Sequence, residues 1–524
     1  LSWVGVVMSG TVTGWVPVDL QLPGLPETAK GHVFSAPAPL VGGRPVFFRD
    51  FWVGSQRAQR AWSSDGEQFP RILEWDKENQ ICWIPADVLS GLGDEPAGLE
   101  LVIHQMWAIA ILRVKAFSRN GERAAVRFHE PENRVQFEHP WPPVVINEER
   151  GNSIFYLSNR LAFLDSPGEW YQDPFTGRVY YWPREPGELD REAAIAPHLE
   201  TLVRFEGRPG RSVEHVGFEG VGFQHSTWLR PSEAGHVPLQ AGFYMVEAYK
   251  LKTPGTPDKA SLENQAWVGR KPAGVELRHT RSAFFRDCSF RAMAASGLDL
   301  VTGAKDIQVT GSRFEDIGGS GFVVGAFQEA GVETHVPYVP EDERLICEGI
   351  LFDNNVVTDI ANQDWGCVGV IVGYARDVEV AHNEISHLAY TGISVGWGWT
   401  QTKSPALRNN RIHANHIHNY GQRVYDTAGI YTLNAQPGTR ITGNAIHSIA
   451  RPSYVHDPYH WSYIYLDEGS SFITVADNWT ERIKFSTNAT GPGNVWRNTG
   501  PDAENVREQA GLERDFEHLL SDPH

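Results

Sequence analysis

Three aspartates stand beside turns between short apolar stretches, where a carboxyl group can face a ligand. Asp426 directly precedes the stretch 427–432, and Asp467 directly follows the stretch 461–466. Asp364 lies five residues before Gly369. Hydrolysis of a glycosidic bond needs two carboxyl groups, one that protonates the leaving oxygen and one that attacks or activates water. The aspartates are candidates for this chemistry; the alternative is that they only bind backbone N–H groups at turns.

Asp426 and Asp467 are expected to lie within reach of one sugar bond. They flank equivalent strands of consecutive repeats, and neighbouring strands of a sheet are about 4.8 Å apart. Glu468 adjoins Asp467 but points to the opposite face if the strand continues. We therefore predict catalytic roles for Asp426 and Asp467, and substrate binding for Asp364.

Aromatic, amide and basic side chains cluster near the same repeats. Rings with a polar handle suit flat hydroxylated ligands such as sugars. Besides Asp364, the predicted substrate-binding residues are Trp397, Trp399, His416, His418, Arg423, Tyr425, Asn434, His460 and Trp461. Tyr390 and Tyr431 are further candidates for the same pocket. For each of these residues, packing within the fold is the alternative role.

The histidine spacing raises the question of a zinc site, which needs three or four ligands in a tetrahedral array. On a strand, His416 and His418 share a face and His413 does not. No nearby cysteine completes a ligand set, so we predict no metal and no other cofactor. The cysteines have no metal-binding spacing and are expected to be core thiols.

The elements that must position these residues are short repeated strands within residues 275–477. Phe290 and Phe314 are 24 residues apart, and so are the neighbouring Gly297 and Gly321. Units this short must stack to bury a core, and no helical pattern separates them. We therefore predict an all-β fold, a right-handed parallel β-helix. Asparagines suited to sharp corners, and able to form a stacked ladder, open many strands: Asn354, Asn383, Asn415, Asn444 and Asn478.

The domain organisation follows from where the repeats stop. We predict residues 1–29 as the start of the β-helix, 30–140 as an inserted antiparallel β domain, 141–205 as a junction, 206–500 as the β-helix and 501–524 as a C-terminal helix. In the insertion, 46–54, 101–110 and 124–128 are predicted strands. The helical pattern at 505–520 is expected to cover the open end of the stack. Loops at 225–272, 326–347 and 397–410 are expected to build the binding site.

Composition limits the partners of this chain. Its 524 residues carry a formal net charge of −18, with a pI near 5.6. No basic patch for nucleic acid is visible, and no apolar run reaches the roughly 18 residues that span a membrane. The opening residues 1–8 lack the basic start of a signal peptide and are expected to be a strand entered in mid-course. The expected partner is an oligosaccharide or polysaccharide.

The motif at 164–171, Leu-Asp-Ser-Pro-Gly-Glu-Trp-Tyr, is followed by Val-Tyr-Tyr-Trp-Pro at 179–183 and then by the repeats. This arrangement resembles glycoside hydrolase family 141, whose known activities include an α-L-fucosidase acting on complex pectin and a xylanase. The resemblance implies a secreted or periplasmic bacterial monomer that cleaves a glycan. It also implies an active pair of aspartates on the β-helix, and Asp426 and Asp467 are the positions that we match to them.

Two other functions remain open from the sequence. A polysaccharide lyase needs a lysine or arginine base, and lysine is scarce in the repeats, although Arg423 is available. A non-catalytic glycan-binding β-helix needs the aromatic residues but not paired acids. Within the hydrolase interpretation, the long loops at 225–272 and 326–347 favour a walled pocket and removal of terminal sugars.

Overall fold

The computed structural model describes residues 9–64, 66, 68–139, 141–247, 268–327 and 337–521, and its centre is a parallel β-helix. Each turn of the chain adds one strand to a first, a second and a third parallel sheet in that order. This confirms the predicted fold class. The opening residues 1–8 and parts of two predicted loops, residues 248–267 and 328–336, lie outside the described residues.

The three sheets of the β-helix are made of short strands in parallel register. The first sheet contains Val203–Glu206, Ala273–Arg278, Ser296–Thr302, Phe322–Val324, Val370–Val372, Ile393–Val395, Thr427–Thr432, Trp461–Leu466 and Phe485–Thr487. The second contains Val213–Glu214, Gly217–Glu219, Thr280–Arg281, Phe284–Arg286, Lys305–Thr310, Cys347–Asp353, Ala375–Ala381, Arg411–His413, Arg440–Thr442, Thr474–Ala476 and Val495–Arg497. The third contains Gly222–Ser226, Ser289–Met293, Arg313–Ile317, Val356–Ile360, Glu384–Leu388, His416–His418, Ala445–His447 and Trp479–Thr480.

The core consists of like residues stacked from turn to turn. Phe290 pairs with Phe314, and their rings are parallel with centroids 4.5 Å apart. Ile385, Ile417 and Ile446 occupy equivalent positions on successive strands of the third sheet and are fully buried. The repeat spacing in the sequence therefore corresponds to one turn of the β-helix, as predicted.

An asparagine ladder forms the corner between the second and third sheets. The side-chain amide of Asn383 donates to Asn415 over 2.8 Å, and the amide of Asn415 donates to Asn444 over 2.9 Å. Asn355 and Asn478 extend the ladder at its two ends. These side chains are fully buried, so each amide satisfies polar groups that water cannot reach.

One position of the predicted ladder was wrong by a single residue. Asn355 belongs to the ladder, whereas the neighbouring Asn354 has a positive φ and turns its side chain outward. Its amide oxygen accepts a hydrogen bond from the backbone N–H of Glu513. A one-residue shift at a corner reverses the direction of the side chain, and the spacing of the repeats does not reveal it.

The chain before residue 200 forms sheets that are almost entirely antiparallel. One contains Ser9–Thr11, Trp52–Val53, Gln56–Arg57 and Ala194–Pro197. A second contains Glu74–Asp76, Ile81–Pro85, Glu100–Gln105, Ala108–Asn120, Arg123–Phe128 and Phe155–Ser158. A third contains Val16–Pro17, Phe34–Pro37, Gln59–Arg60, Glu169–Gln172 and Arg178–Tyr181. A small two-stranded sheet in this part pairs Leu40–Val41 with Arg44–Pro45. Another, beyond this part of the chain, pairs Tyr244–Met245 with Val268–Gly269.

Three predictions for this part of the chain were wrong. Within the predicted strand 46–54, only Trp52–Val53 is a strand. Ser9–Thr11 pairs antiparallel with Ala194–Pro197, so these residues do not form a first coil of the β-helix. The predicted strand 101–110 is a hairpin, with a tight turn at Met106 and Trp107 between Glu100–Gln105 and Ala108–Asn120. Met106 has a φ of 53°, which a sequence of large apolar residues does not suggest.

Helices are short among the described residues. The α-helices are Glu132–Glu138, Glu188–Arg191, Arg230–Ala234 and Glu504–Arg507, and the 3-10 helices are Glu27–Ala29, Ala86–Leu89, Leu161–Phe163, Glu343–Leu345 and Arg514–Leu520. None of these is long and apolar enough to cross a membrane. The single helix predicted for 505–520 was wrong, because the chain breaks at Gly511, whose φ is 99°.

The C-terminal segment 503–521 runs along the side of the β-helix. Val506 and Ala510 pack against Ala445 and Trp479 on the third sheet. Further along the segment, the carbonyl oxygen of Leu519 accepts a hydrogen bond from Arg313, several turns earlier. The segment therefore crosses successive coils on their outer surface. The prediction that it covers the open end of the stack was wrong.

Candidate active site

Two paired strands of the first sheet position the predicted catalytic aspartates. Thr427–Thr432 and Trp461–Leu466 run in parallel, with Tyr431 opposite Tyr465. The N–H of Asp426 donates to the carbonyl of His460 over 2.8 Å, and the N–H of Asp467 donates to the carbonyl of Thr432 over 3.0 Å. The two aspartates therefore come from neighbouring coils, as predicted, but from opposite ends of the strand pair.

Both aspartates line one cavity of about 800 Å³ on the outer face of the first sheet. This volume lies within the range of small-molecule sites. The β-helix contributes Tyr390, Trp399, Asp426, Tyr431, His460, Tyr465, Asp467, Glu468, Phe485, Ser486, Thr487 and Asn488 to the lining. The remaining wall comes from Leu239 and Gln240 and from the insertion residues Met106, Trp107 and Trp141.

The hairpin turn of the insertion reaches the cavity and is fixed there by hydrogen bonds. The carbonyl of Met106 accepts from the N–H of Tyr425 over 3.2 Å, directly beside Asp426. The indole N–H of Trp107 donates to the carbonyl of Leu239 over 2.8 Å. The rings of Trp107 and Trp141 are nearly parallel, with centroids 6.5 Å apart. The cavity is thus shared by the insertion and the β-helix.

Asp426 is in an environment that favours its protonated form. Burial raises the pKa of this carboxyl to about 6, the neighbouring His460 lowers it, and the negative charges of Asp467 and Asp457 raise it further. His460 Nε2 lies 3.1 Å from Asp426 Oδ1 but is not aligned for a hydrogen bond. Oδ1 therefore has no hydrogen-bond partner among the described residues, although it lies in the wall of the cavity.

Asp467 has partners that Asp426 lacks. The hydroxyl of Tyr431 donates to its Oδ2 over 2.5 Å, and the amide of Asn488 donates to its Oδ1 over 2.8 Å. Burial raises the pKa of Asp467, and these two hydrogen bonds lower it because they stabilise the carboxylate. The pKa of both carboxyl groups is therefore raised, but Asp467 is hydrogen-bonded on both oxygens, whereas Oδ1 of Asp426 receives no hydrogen bond from the described residues.

Such a pair of carboxyl groups can carry out acid–base or nucleophilic chemistry on a sugar. Asp426, whose pKa is raised to about 6 and whose Oδ1 has no hydrogen bond from the described residues, can keep a proton and give it to a leaving oxygen. The stabilised carboxylate can activate water or attack the anomeric carbon. Aromatic rings and apolar side chains around the pair exclude water and offer faces for a sugar ring.

Four of the predicted site residues line this cavity: Asp426, Asp467, Trp399 and His460. Three other residues that the sequence analysis discussed also line the cavity: Tyr390, Tyr431 and Glu468. The other predicted substrate-binding residues do not: Asp364, Trp397, His416, His418, Arg423, Tyr425, Asn434 and Trp461.

Asp364 is completely buried, which corrects its predicted contact with substrate. Its carboxylate forms an ion pair with Lys271 and lies 3.1 Å from His236 Nε2. The positive charge of Lys271 holds the pKa of Asp364 well below its usual range despite burial. Both partners are also buried, so this cluster joins the segments around 236 and 271 to the β-helix and has no access to a ligand.

Burial also removes Trp397 and Asn434 from the predicted pocket. Trp397 packs against Phe243 and Phe327, with ring centroids 5.0 and 5.2 Å away. The amide of Asn434 donates to the carbonyl of Trp397 over 2.8 Å and to the hydroxyl of Tyr374 over 3.2 Å. These two residues support the wall behind Trp399.

The remaining corrections concern residues on other surfaces. Tyr425 belongs to a small cluster that includes Ile154 and Tyr454 and holds the insertion in place. Arg423 lies over the ring of Trp365, outside the cavity. Trp461 is buried at the start of its strand, with Lys484 over its ring. His416 and His418 lie on the third sheet.

Ten lining residues were not among the candidates named from the sequence: Met106, Trp107, Trp141, Leu239, Gln240, Tyr465, Phe485, Ser486, Thr487 and Asn488. Tyr465 was detectable, because aligning the two strands places it opposite Tyr431 on the same face. Met106 and Trp107 carried no turn signal, and the fold of one chain segment alone does not show which other segment it will contact.

Comparisons with known proteins agree with the two-part architecture. A family model described as the GH141 insertion domain matches residues 31–184. A solved structure named "Glycoside hydrolase" is 42% identical, with a TM-score of 0.89, over 98% of this chain and 85% of that chain. The structure titled "The complex structure of XylC with xylose" is 9% identical to this chain. The match covers 91% of this chain and 58% of that chain, with a TM-score of only 0.41. No curated protein gives a significant match.

Proposed function

Because the chain belongs to glycoside hydrolase family 141, we propose that it is an α-L-fucosidase acting on pectic, rhamnogalacturonan-type oligosaccharides, with Asp426 and Asp467 as its catalytic carboxyl groups. The observation that carries this proposal is the location of both aspartates in one cavity, in contrasting environments. Secretion and a monomeric state remain predictions.

The contrast between the two aspartates assigns their roles in the proposal. Asp426 gives its proton to the glycosidic oxygen as the bond from that oxygen to the anomeric carbon breaks. Asp467 supplies the electron-rich group, either by attacking the anomeric carbon or by removing a proton from the water that attacks it. Water is consumed, and the free sugar and the shortened glycan are released.

The lining of the cavity favours a neutral sugar. Three acidic residues, Asp426, Asp467 and Glu468, line it, and no lysine or arginine is among its described lining residues. A uronate would meet uncompensated negative charge there, and a lyase would lack the usual basic residue. Met106, Leu239 and Phe485 supply apolar surface that suits the methyl group of a 6-deoxy sugar such as fucose.

The walls formed by the insertion favour removal of terminal sugars. Trp107 and Leu239 are hydrogen-bonded to each other and close one side of the cavity above the aspartates. A cavity closed on one side accepts the end of a glycan more easily than its middle. We therefore propose exo action on a branched oligosaccharide.

The test compares two substrates in two variants. Asp426→Asn and Asp467→Asn are assayed with an aryl α-L-fucoside and with a panel of pectin-derived oligosaccharides. Loss of a general acid costs about 10²–10⁴-fold in rate. An aryl leaving group needs little protonation, so Asp426→Asn should lose most activity on oligosaccharides and less on the aryl fucoside. Asp467→Asn should lose activity on both.

Asp477→Asn is the matched control, since Asp477 also has a positive φ at a coil corner but does not line the cavity. It should keep wild-type activity. A wild-type protein that releases fucose neither from the aryl fucoside nor from the panel contradicts the fucosidase proposal, and cleavage of another linkage in the panel then identifies the true sugar. Near-wild-type rates in either active-site variant contradict the role given to that aspartate.

A further inference from the structure

A second cluster of ionisable side chains lies on the outer face of the third sheet, away from the cavity. It consists of Glu384, His416, His418 and His447. Glu384 Oε1 is 2.5 Å from His418 Nε2, and Glu384 Oε2 is 2.8 Å from His416 Nδ1. One ligand atom each from Glu384, His416 and His418 lies within 4.8 Å of the other two. The proposed glycosidase chemistry uses none of these groups.

The parallel register of the β-helix holds these side chains together. Glu384 pairs with His416 on the next strand, and His418 pairs with His447 on the strand after that. Residues at i and i+2 of a strand share a face, so His416 and His418 both point outward. The cluster therefore sits on a rigid backbone, and its geometry does not depend on a loop.

The orientation of His416 directs a nitrogen toward Glu384. Its Nε2 lies 2.8 Å from His447 Nε2, a distance at which one nitrogen must donate and the other accept. His447 Nδ1 in turn lies 2.7 Å from the hydroxyl of Ser448. When His416 Nε2 donates, a neutral His416 presents the lone pair of Nδ1 to the carboxylate of Glu384. Two electron-rich groups so close require a positive charge between them, either a proton or a metal ion.

We propose that Glu384, His416 and His418 bind one divalent transition-metal ion, with zinc the best match. Two imidazole nitrogens and one carboxylate form a ligand set that zinc accepts, with a water in the fourth position. His447 does not bind the ion itself. It accepts the hydrogen bond from His416 Nε2 and so leaves His416 Nδ1 unprotonated for the ion. The side chains of Glu384, His416 and His418 are 12–28% exposed, so water and the ion can reach the site.

The neighbouring C-terminal segment fits this site. A Cβ added to Gly511 would lie 3.1 Å from the Cβ of His416 and 3.5 Å from Glu384 Oε2, so this segment passes directly beside the ligands. The Gly511 N–H also donates to the carbonyl of Ala414. The ion would thus tie two adjacent coils together where the C-terminal segment crosses them.

The experiment measures zinc binding to the full chain, purified without a histidine tag and stripped with a chelator. Zinc content is measured after dialysis, affinity by competition with a chromophoric chelator, and the thermal unfolding midpoint with and without zinc. Wild type should bind about one zinc per chain and unfold at a higher temperature with zinc. His418→Ala and Glu384→Gln should each lose at least about 100-fold in affinity, more than the loss of an outer partner usually costs.

His413→Ala is the matched control. His413 also pairs with a glutamate, Glu379, at 2.7 Å on an adjacent sheet, but the described residues offer no third ligand there. It should bind zinc as wild type does. The proposal is overturned if wild type binds no stoichiometric zinc, or if Glu384→Gln and His418→Ala bind it as tightly as wild type. In that case a proton links Glu384 to His416. Fucosidase activity is assayed in parallel. Its presence or absence tests the proposed function of the cavity and does not bear on zinc binding at the third sheet.

Discussion

At the scale of single residues, Asp426 and Asp467 carry the same side chain but have different partners. Asp467 receives hydrogen bonds on both carboxyl oxygens, whereas Oδ1 of Asp426 receives none from the described residues. Hydrogen bonds to a carboxylate stabilise its charged form, and burial without them stabilises the neutral form. The proposed acid is therefore the aspartate with the fewer partners.

The pH dependence of the reaction should show this difference. A carboxyl group whose pKa is raised to about 6 is protonated below that pH and loses its proton above it. We expect kcat/KM on oligosaccharides to fall as the pH rises through about 6. The pH profile of Asp426→Asn on the aryl fucoside should lack this fall. A basic limb that persists in Asp426→Asn would show that another group is the acid.

Tyr431→Phe tests the partner of the second aspartate. Removing the hydroxyl removes a hydrogen bond that lowers the pKa of Asp467, so the pKa rises and the acidic limb of the profile moves to higher pH. A hydrogen bond to a charged group contributes about 1.5–3 kcal/mol, so kcat/KM should fall by about 10–100-fold. Tyr454→Phe is the control, since its hydroxyl donates to the carbonyl of Arg423 outside the cavity. Equal effects in the two variants would contradict the assignment.

The sequence located some residues of the cavity but not its extent. Asp426, Asp467, His460 and Trp399 could be found because they follow the strand pattern of consecutive repeats. Asp364 looked the same in the sequence, but its environment is decided by Lys271 and His236, which are distant along the chain. Burial and ion pairing depend on such distant contacts, so a turn aspartate cannot be assigned from its neighbours alone.

At the scale of elements, the asparagine ladder fixes the corner between the second and third sheets. Each rung hydrogen-bonds to the next, and Asn415 also donates to the backbone carbonyl of Val380. We expect Asn415→Ala to lower the free energy of unfolding by about 2–4 kcal/mol, because it leaves more than one buried polar group unpaired. Urea unfolding measures the change.

The control for the ladder is Asn79→Ala, in an exposed turn of the insertion where the amide donates to Asp76. Surface substitutions of this kind usually change stability by less than about 0.5 kcal/mol. If Asn415→Ala is as mild as Asn79→Ala, the ladder does not stabilise the corner.

The strands of the β-helix were predictable because their signal is local and repeated. Phe290 and Phe314 are equivalent in the sequence and stack in the structure. The hairpin at Met106 and the broken helix at Gly511 were missed because a continuous apolar stretch and a helical pattern hide a change of direction. Both segments take their shape from the surface on which they pack.

At the scale of the whole molecule, the insertion is joined to the β-helix by a buried ion-pair network. Arg57 Nε lies 2.8 Å from Asp316 Oδ1 on the third sheet, and Asp50 binds the same guanidinium at 2.6 Å. The indole N–H of Trp52 donates to the other oxygen of Asp316 over 2.7 Å. This contact fixes one side of the insertion, while the hairpin at Met106 meets the β-helix beside Asp426.

Asp316→Asn should weaken this contact. Breaking a buried ion pair costs about 3–5 kcal/mol, and Asp50 keeps the effect near the lower value. We expect a loss of about 3 kcal/mol in unfolding free energy and a higher KM. Asp306→Asn is the control: it has a similar positive φ and an ion pair with Arg281, but both side chains are more than half exposed. Such a pair contributes at most about 1 kcal/mol. Similar losses in the two variants would contradict a special role for the buried network.

The shared cavity has a consequence for the maturation of the enzyme. Asp426 has a raised pKa because it is buried, and the turn at Met106 provides part of the wall beside it. In a chain whose coils have stacked but whose insertion has not docked, Asp426 would be exposed to water, and its pKa would fall from about 6 toward the ordinary value of an aspartate, so less of it would be protonated near pH 6. Full activity near pH 6 would therefore require the docked insertion, and turnover itself would report completed assembly.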